Sequence, residues 1–275
     1  MPVTLLSSPV RYAHPAYLPG TRSTYTAVLC LLGTRMCTLV GFGAQGEVVV
    51  FEEHPYQQAG FLSGLFANHP LLASNYAITR VLAADARQLV IPDALYDADS
   101  AKDWMQTCYF VEADEELIVT SVPGASVRVA AVCPAEWSRI QDGAPALNVG
   151  YALGTTLLQT VPAPEGACAR VLLTADTCHL AVWNQGQLQA SVAYTETDPQ
   201  SVVYQLMGLL QQYKLDAANT VVFVEWLHPS GAETATILDD YFQVQEPVGI
   251  PETAVPAFPS PEITRAWTRL RSCVL

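Results

Sequence analysis

Residues 168–226 read CARVLLTADTCHLAVWNQGQLQASVAYTETDPQSVVYQLMGLLQQYKLDAANTVVFVEW, and the order in which the periodicity changes along them decides the fold. Residues 170–173 and 179–183 are short apolar runs on either side of a tight turn at 174–178. Asn184, Gln185 and Gly186 tolerate positive φ, so they close a hairpin onto residues 187–194. There Leu188, Ala190, Val192 and Tyr194 alternate with Gln187, Gln189 and Ser191, the period of a half-buried strand. Asp198 stands at an N-cap position and Pro199 at the first helical one, which satisfies an orphan amide and presets φ. Val202, Val203, Leu206, Leu209, Leu210 and Tyr213 then form one apolar stripe along a helix. The helix gives way at 215–218, and 221–226 is apolar without alternation, as in a strand covered on both faces. The unit is βββαβ.

The first half of the chain repeats that order. Residues 28–32, 37–42 and 48–51 are three predicted strands, followed by a helix opening at Pro55. Glu52, Pro55, Leu62, Gly64, Leu65 and Asn75 match Glu196, Pro199, Leu206, Gly208, Leu209 and Asn219 at one constant offset. Cys37 and Leu39 match Cys178 and Leu180 at a slightly smaller one. An offset held through strand, cap, helix and next strand predicts an internal duplication.

The remaining segments follow from this frame. Residues 1–24, with several prolines, are an N-terminal arm that packs loosely or starts with an edge strand. Residues 25–160 form the first domain, interrupted at about 86–145 by material without a later counterpart. That insertion reads as short helices at 92–96 and 100–108, then a hairpin of 116–122 and 126–132 around Pro123-Gly124. A helix at 134–140, a strand at 146–149 and a helix at 151–160 lead to a linker at 161–166. The second domain spans 167–246 and ends with a helix at 231–241 and a strand at 242–244. Residues 247–275 form a proline-rich tail, extended at first, with a basic helix at 263–271 that either docks or stays solvated.

Composition narrows the function classes. Half the 275 residues are hydrophobic and few are charged, which describes a packed globular protein. A formal charge of −13, with Lys102 and Lys214 as its lysines, repels a phosphate backbone and argues against nucleic acid. Seven scattered cysteines, mostly inside apolar runs, read as reduced core thiols of a cytoplasmic protein. No CxxC or HxxxH spacing suggests a metal, and no segment has the roughly 20 apolar residues that membrane insertion takes.

Each motif has a plainer structural explanation. Gly41, Gly43 and Gly46 satisfy a dinucleotide fingerprint, but residues 47–51 continue as a strand where the phosphate needs a helix N-terminus. A kinase glycine loop does lie between strands, yet its lysine, His-Arg-Asp and Asp-Phe-Gly partners are missing. The glycines therefore read as a hairpin turn. His14, His54, His69 and His228 adjoin proline or loop signals, and His179 lies on a strand on the opposite face from Cys178. Glu52-Glu53, Glu115-Glu116 and Asp239-Asp240 are adjacent pairs, which suits a solvated surface better than paired acid and base. No catalytic residue is assigned.

Two successive βββαβα units, the first with an α+β insertion, resemble the actin-like ATPase fold, an α/β arrangement of two ribonuclease-H-like domains with mixed sheets. The stretch around Leu89-Val90-Ile91-Pro92 and the elements from Val171 to Tyr241 are similar to a bacterial family, domain of unknown function family 3822. The resemblance implies a nucleotide cleft in which the first turn of each unit offers aspartate to magnesium and glycine amides to phosphate. Here the first turn is Leu31-Leu32-Gly33-Thr34, with leucine in the aspartate's place. The second, Thr174-Ala175-Asp176-Thr177, keeps one aspartate but no glycine. The expectation is a scaffold or protein-interaction module without ATPase activity and without cofactor, with protein partners. The alternatives are a divergent ATP-binding protein using magnesium, with Gly33, Thr34, Asp176 and Thr177 as cleft residues, and an adaptor of a secretion or pilus assembly.

Overall fold

The computed structural model describes residues 10–13, 25–56, 60–72, 78–137, 140, 150–159, 166–245 and 260–274. The first sheet takes β1 (Val10–Ala13), β2 (Ala27–Leu32), β3 (Met36–Phe42), β4 (Val48–Pro55) and β5 (Ile78–Ala83). After an excursion through β6 (Gln88–Pro92), β7 (Glu116–Ser121) and β8 (Val127–Cys133), the chain returns to it as β9 (Gly150–Ala152). Its order is β1-β4-β3-β2-β5-β9. The second sheet, of β10 (Ala167–Leu173), β11 (Cys178–Asn184), β12 (Gln187–Tyr194), β13 (Val221–Trp226) and β14 (Gln243–Gln245), runs β12-β11-β10-β13-β14.

Apart from the edge strand β1, the two orders coincide, with two antiparallel pairings followed by two parallel ones in each sheet. The irregularities coincide too. The register shifts between Gly41 and Phe42 in the β3–β4 pair and between Val182 and Trp183 in the β11–β12 pair. A bulge bends its strand and raises the local twist, so both hairpins curl at the same place.

Alternation along the second sheet explains why its strands read as continuously apolar. Ala169, Val171 and Leu173 of β10 and Val222 and Val224 of β13 face a core shared with α4 (Pro199–Gln212) and α5 (Gly231–Asp239). Val202, Leu206 and Leu210 fill that core from α4, each worth about 1.5–3 kcal/mol on burial. The alternate residues Cys168, Leu172, Ala181 and Phe223 belong to the large core containing Leu29, Leu31 and Val81 of the first sheet. Both faces of β10 and β13 are dry, one against these helices and one inside the large core.

Local signals hold in the second unit. Asp198 Oδ1 accepts from the Ser201 amide at 3.0 Å, and Gln185 and Gly186 take φ of 50° and 75° in the hairpin. The first unit departs from expectation at its helix. Pro55 ends β4, paired with Met36, and α1 (Phe61–Asn68) starts after Gly60, which has φ 81°. Its free amides are satisfied at long range, because Glu136 accepts from Gly60 N at 2.6 Å and from Ser63 N at 2.8 Å. Of the three glycines at 41–46, Gly46 alone has positive φ, while Gly41 lies within β3.

The insertion is a three-stranded sheet, β6-β8-β7, with α2 (Ala101–Cys108) and a core of its own around Ile91, Met105, Val111, Ala130 and Val132. The helix expected at 92–96 is a single 3-10 turn over Asp93–Leu95. The strand expected at 146–149, most of the linker and the extended part of the tail lie outside the described residues. A helix, α3 (Leu153–Gln159), follows β9. The tail's helix, α6 (Pro261–Val274), is docked, with Ile263, Ala266, Trp267, Leu270 and Val274 buried in the large core.

Candidate functional site

The two turns singled out by sequence meet at the junction of the sheets. Each is closed in the same way, by Gly33 N on Met36 O and by Thr174 N on Thr177 O, both at 2.9 Å. Across the junction, Asp176 Oδ2 accepts from the Arg35 amide at 2.6 Å. Gly33 lies directly beneath: a Cβ built on it would stand 2.9 Å from Asp176 Cγ and closer still to Oδ1. The absence of a side chain at Gly33 is what admits the carboxylate. Burial raises the Asp176 carboxyl above its ordinary value, against the pull of the Arg35 amide and the Thr174 hydroxyl.

The other predicted residues are close by but turned elsewhere. Thr177 Oγ1 lies 2.7 Å from Thr174 Oγ1 and 3.0 Å from His179 Nε2, so it supports its own turn. Thr34 Oγ1 has no hydrogen-bond partner among the described residues. His179, which sequence reading left as a strand histidine, is fully buried. Burial pulls it down to about 4, opposed by the Ala84 backbone and the Asp85 charge across the junction.

A second cluster was not visible in sequence. Glu52 and His54 project from the same face of β4 toward His69, the residue that caps the C-terminus of α1. Glu52 Oε2 lies 3.2 Å from His54 Nε2 and 2.7 Å from His69 Nε2, and the three ligand atoms fall within 4.8 Å of one another. Glu52-Glu53 is therefore not a solvated pair: the two residues are 9% and 4% exposed, and Glu53 faces His228 at 3.3 Å. Burial raises the Glu52 carboxyl, but the hydrogen bonds of His54 and His69, reinforced by their charges where the rings are protonated, outweigh it and bring it down to about 2. Two imidazoles and a carboxylate are also a metal-ligand set. The surroundings favour a hydrogen-bonded clamp, because the Leu71 amide donates to His69 Nδ1 at 3.3 Å and thereby places the ring proton on Nε2, facing Glu52. A metal on Nε2 would push that proton to Nδ1, against another donor.

A third cluster fastens α6. Glu225 on β13 accepts from Arg170 Nη2 at 2.9 Å and, in bidentate fashion, from Nε and Nη2 of Arg269. Arg170 Nη1 reaches the Leu157 carbonyl of α3 at 2.8 Å, and Trp267 Nε1 donates to Leu227 O at 3.1 Å. Trp267 also meets the ring of Phe51 on β4 edge-on at 6.1 Å between centroids. The helix thus holds the second sheet by polar bonds and the first by an aromatic edge.

Two sheets of one order, joined at their first turns, define a protein of the actin-like ATPase fold. The chain belongs to the family described as protein of unknown function (DUF3822), whose family model matches residues 44–244. No curated protein matches it. Among solved structures it is similar to a Bacteroides thetaiotaomicron protein with actin-like ATPase fold and unknown function. That likeness has a TM-score of 0.67 at 13% identity, over 83% of this chain and 93% of that one. It is also similar to a chain of the PilM–PilN type IV pilus biogenesis complex, with a TM-score of 0.53 at 13% identity over 90% and 98% of the two chains.

Proposed function

We propose that this protein is a protein-interaction member of the actin-like fold, a scaffold in a reducing, cytoplasmic setting, which does not hydrolyse ATP. The observation that carries the reading is the Asp176–Arg35 contact. A backbone amide in the first turn is what a phosphate oxygen would need, and the chain's own carboxylate takes it. Leu31 stands where the resemblance calls for a magnesium-binding aspartate, and it is buried in the core. These residues do not suit a magnesium nucleotide. All seven cysteines are free and most are buried, which supports a reducing compartment.

Calorimetric titration with ATP and magnesium tests the reading. No saturable heat is expected. Saturable binding that Asp176→Ala abolishes would replace it with a divergent ATP-binding protein that uses Asp176.

The similarity to PilM, recorded in a complex with PilN, favours one particular form of the interaction reading: an adaptor of a secretion or pilus-type assembly. Among the described residues no helix is long and apolar enough to cross a membrane. Co-purification with a membrane-associated protein from the native host supports this form, and partners found in the soluble fraction alone favour a scaffold remote from the membrane.

A further inference from the structure

The insertion shows solvent a surface that its own folding does not explain. Its helix α2 turns Ala101 and Met105 inward, and leaves Asp103, Trp104, Thr107 and Cys108 outward. Trp104 is 43% exposed, and Phe110, just past the helix end, is 80% exposed. Neither belongs to any of the three cores. Large aromatics kept in water are the usual anchors of a protein interface, and these two are six positions apart at the end of α2.

The charge around them selects the partner. From Asp93 to Glu116 the chain carries eight carboxylates and one lysine. Two of them are balanced: Glu115 pairs with Arg87 at 2.7 Å, beside the Lys102 ammonium held by the Ala113 and Glu115 carbonyls, and Asp93 pairs with Arg128 at 3.0 Å. Asp97, Asp99, Asp103, Glu112 and Asp114 are all exposed. Such a rim repels nucleic acid, an anionic lipid surface and a second copy of this −13 chain alike. It attracts cationic side chains, which can also stack on Trp104.

We propose that the α2 face of the insertion, centred on Trp104 and Phe110, is a docking site for a basic amphipathic segment of a partner protein. The proposal rests on the interaction reading above and gives it a location.

Cys108 supplies the probe, since it is exposed while the other six cysteines are buried or half-buried. An environment-sensitive maleimide dye on Cys108 is titrated with a synthetic helical peptide of leucine and lysine at amphipathic spacing, and with its glutamate counterpart. The lysine peptide is expected to saturate and the glutamate peptide not to bind. Trp104→Ala with Phe110→Ala should weaken the lysine peptide by at least about tenfold, while Tyr204→Ala, on the exposed side of α4, leaves it unchanged. Asp103→Lys with Glu112→Lys should weaken it and flatten its salt dependence. Unchanged melting temperatures show that each variant folds. Wild-type protein that fails to saturate, or an aromatic double variant that binds as well as wild type, overturns the docking site but not the interaction reading. Dimerisation through this face, detected by light scattering and lost in the aromatic variant, overturns it in favour of self-association. Saturable magnesium-ATP binding in the cleft counts against the interaction reading itself, whatever the peptide does.

Discussion

Gly33 and Asp176, 143 positions apart by their numbers, are packed so closely that the hydrogen of the one makes room for the carboxylate of the other. Their meeting joins the first turns of the two sheets. Gly33→Ala is expected to push Asp176 off the Arg35 amide and cost about 1–3 kcal/mol. In a double-mutant cycle, Asp176→Ala should cancel most of that penalty, because the obstructed group is gone. Additive losses in urea melts would mean that the two residues do not touch.

Asp176 combines a hydrogen bond worth keeping with a charge that burial disfavours. Its raised pKa means that the folded state holds the carboxyl's proton more tightly than the unfolded chain. The ionised group therefore lowers stability as pH rises through the carboxylate range. Asp176→Asn retains an acceptor for Arg35 and should melt at or above the wild-type temperature at pH 7. Asp176→Ala leaves the amide unpaired and should melt lower, by about 1–2 kcal/mol. A drop of equal size in both variants would contradict this account.

Glu52 works in the opposite sense. Held at about 2 in place of its ordinary 4.5, it contributes stability that is complete above pH 4.5 and lost as pH falls toward 2. Glu52→Gln should be less stable than wild type at neutral pH, by about 1–3 kcal/mol for the loss of charge-assisted hydrogen bonds, and the two should converge in acid. Parallel denaturant curves between pH 2 and 7 check it. A gap that stays constant across that range would show that Glu52 is not ionised against His54 and His69.

At the final helix, Glu225→Gln removes the carboxylate charge that Arg170 and Arg269 share in a dry site. Burial already holds Arg170 down to about 10 there, together with the Arg269 charge. A loss of about 3–5 kcal/mol is expected. Trp267 is 1% exposed, so detachment of α6 should shift its emission to the red before global unfolding. Emission unchanged up to the main transition would mean that α6 is held without this pair.

Glu136→Ala should loosen α1 at its start, at a cost of about 1 kcal/mol. The amides of Gly60 and Ser63 should then exchange with deuterium faster, while those in the middle of α4 keep their rate. Equal exchange in both proteins would remove Glu136 from the cap.

These cases show where the sequence was informative. The βββαβ order, the Asp198 cap and the Asn184–Gly186 hairpin depend on neighbours within a few residues, so local pattern sufficed for them. The start of α1 did not follow, because its capping carboxylate comes from 76 positions away and Pro55 looked like the local substitute. Glu52 reads as surface, and His54 and His69 as histidines without a visible partner, for the same reason. A carboxylate and two imidazoles become a cluster only when the end of α1 is laid over β4. Gly33 and Asp176 could be recognised as turn residues, but not as partners, since that depends on how closely two sheets approach.

The anchoring of α6 also bears on the sequence of assembly. The Glu225–Arg269 and Leu227–Trp267 bonds span 44 and 40 positions, and the Phe51–Trp267 edge spans most of the chain. The hairpins close far shorter loops than any of these, and the β10–α4–β13 crossover closes a far shorter one than the Phe51–Trp267 edge, so both sheets can form before that edge does. The halves of this molecule can therefore take shape as separate rafts, and the touch of Trp267 on Phe51 that turns them into one body is fastened last.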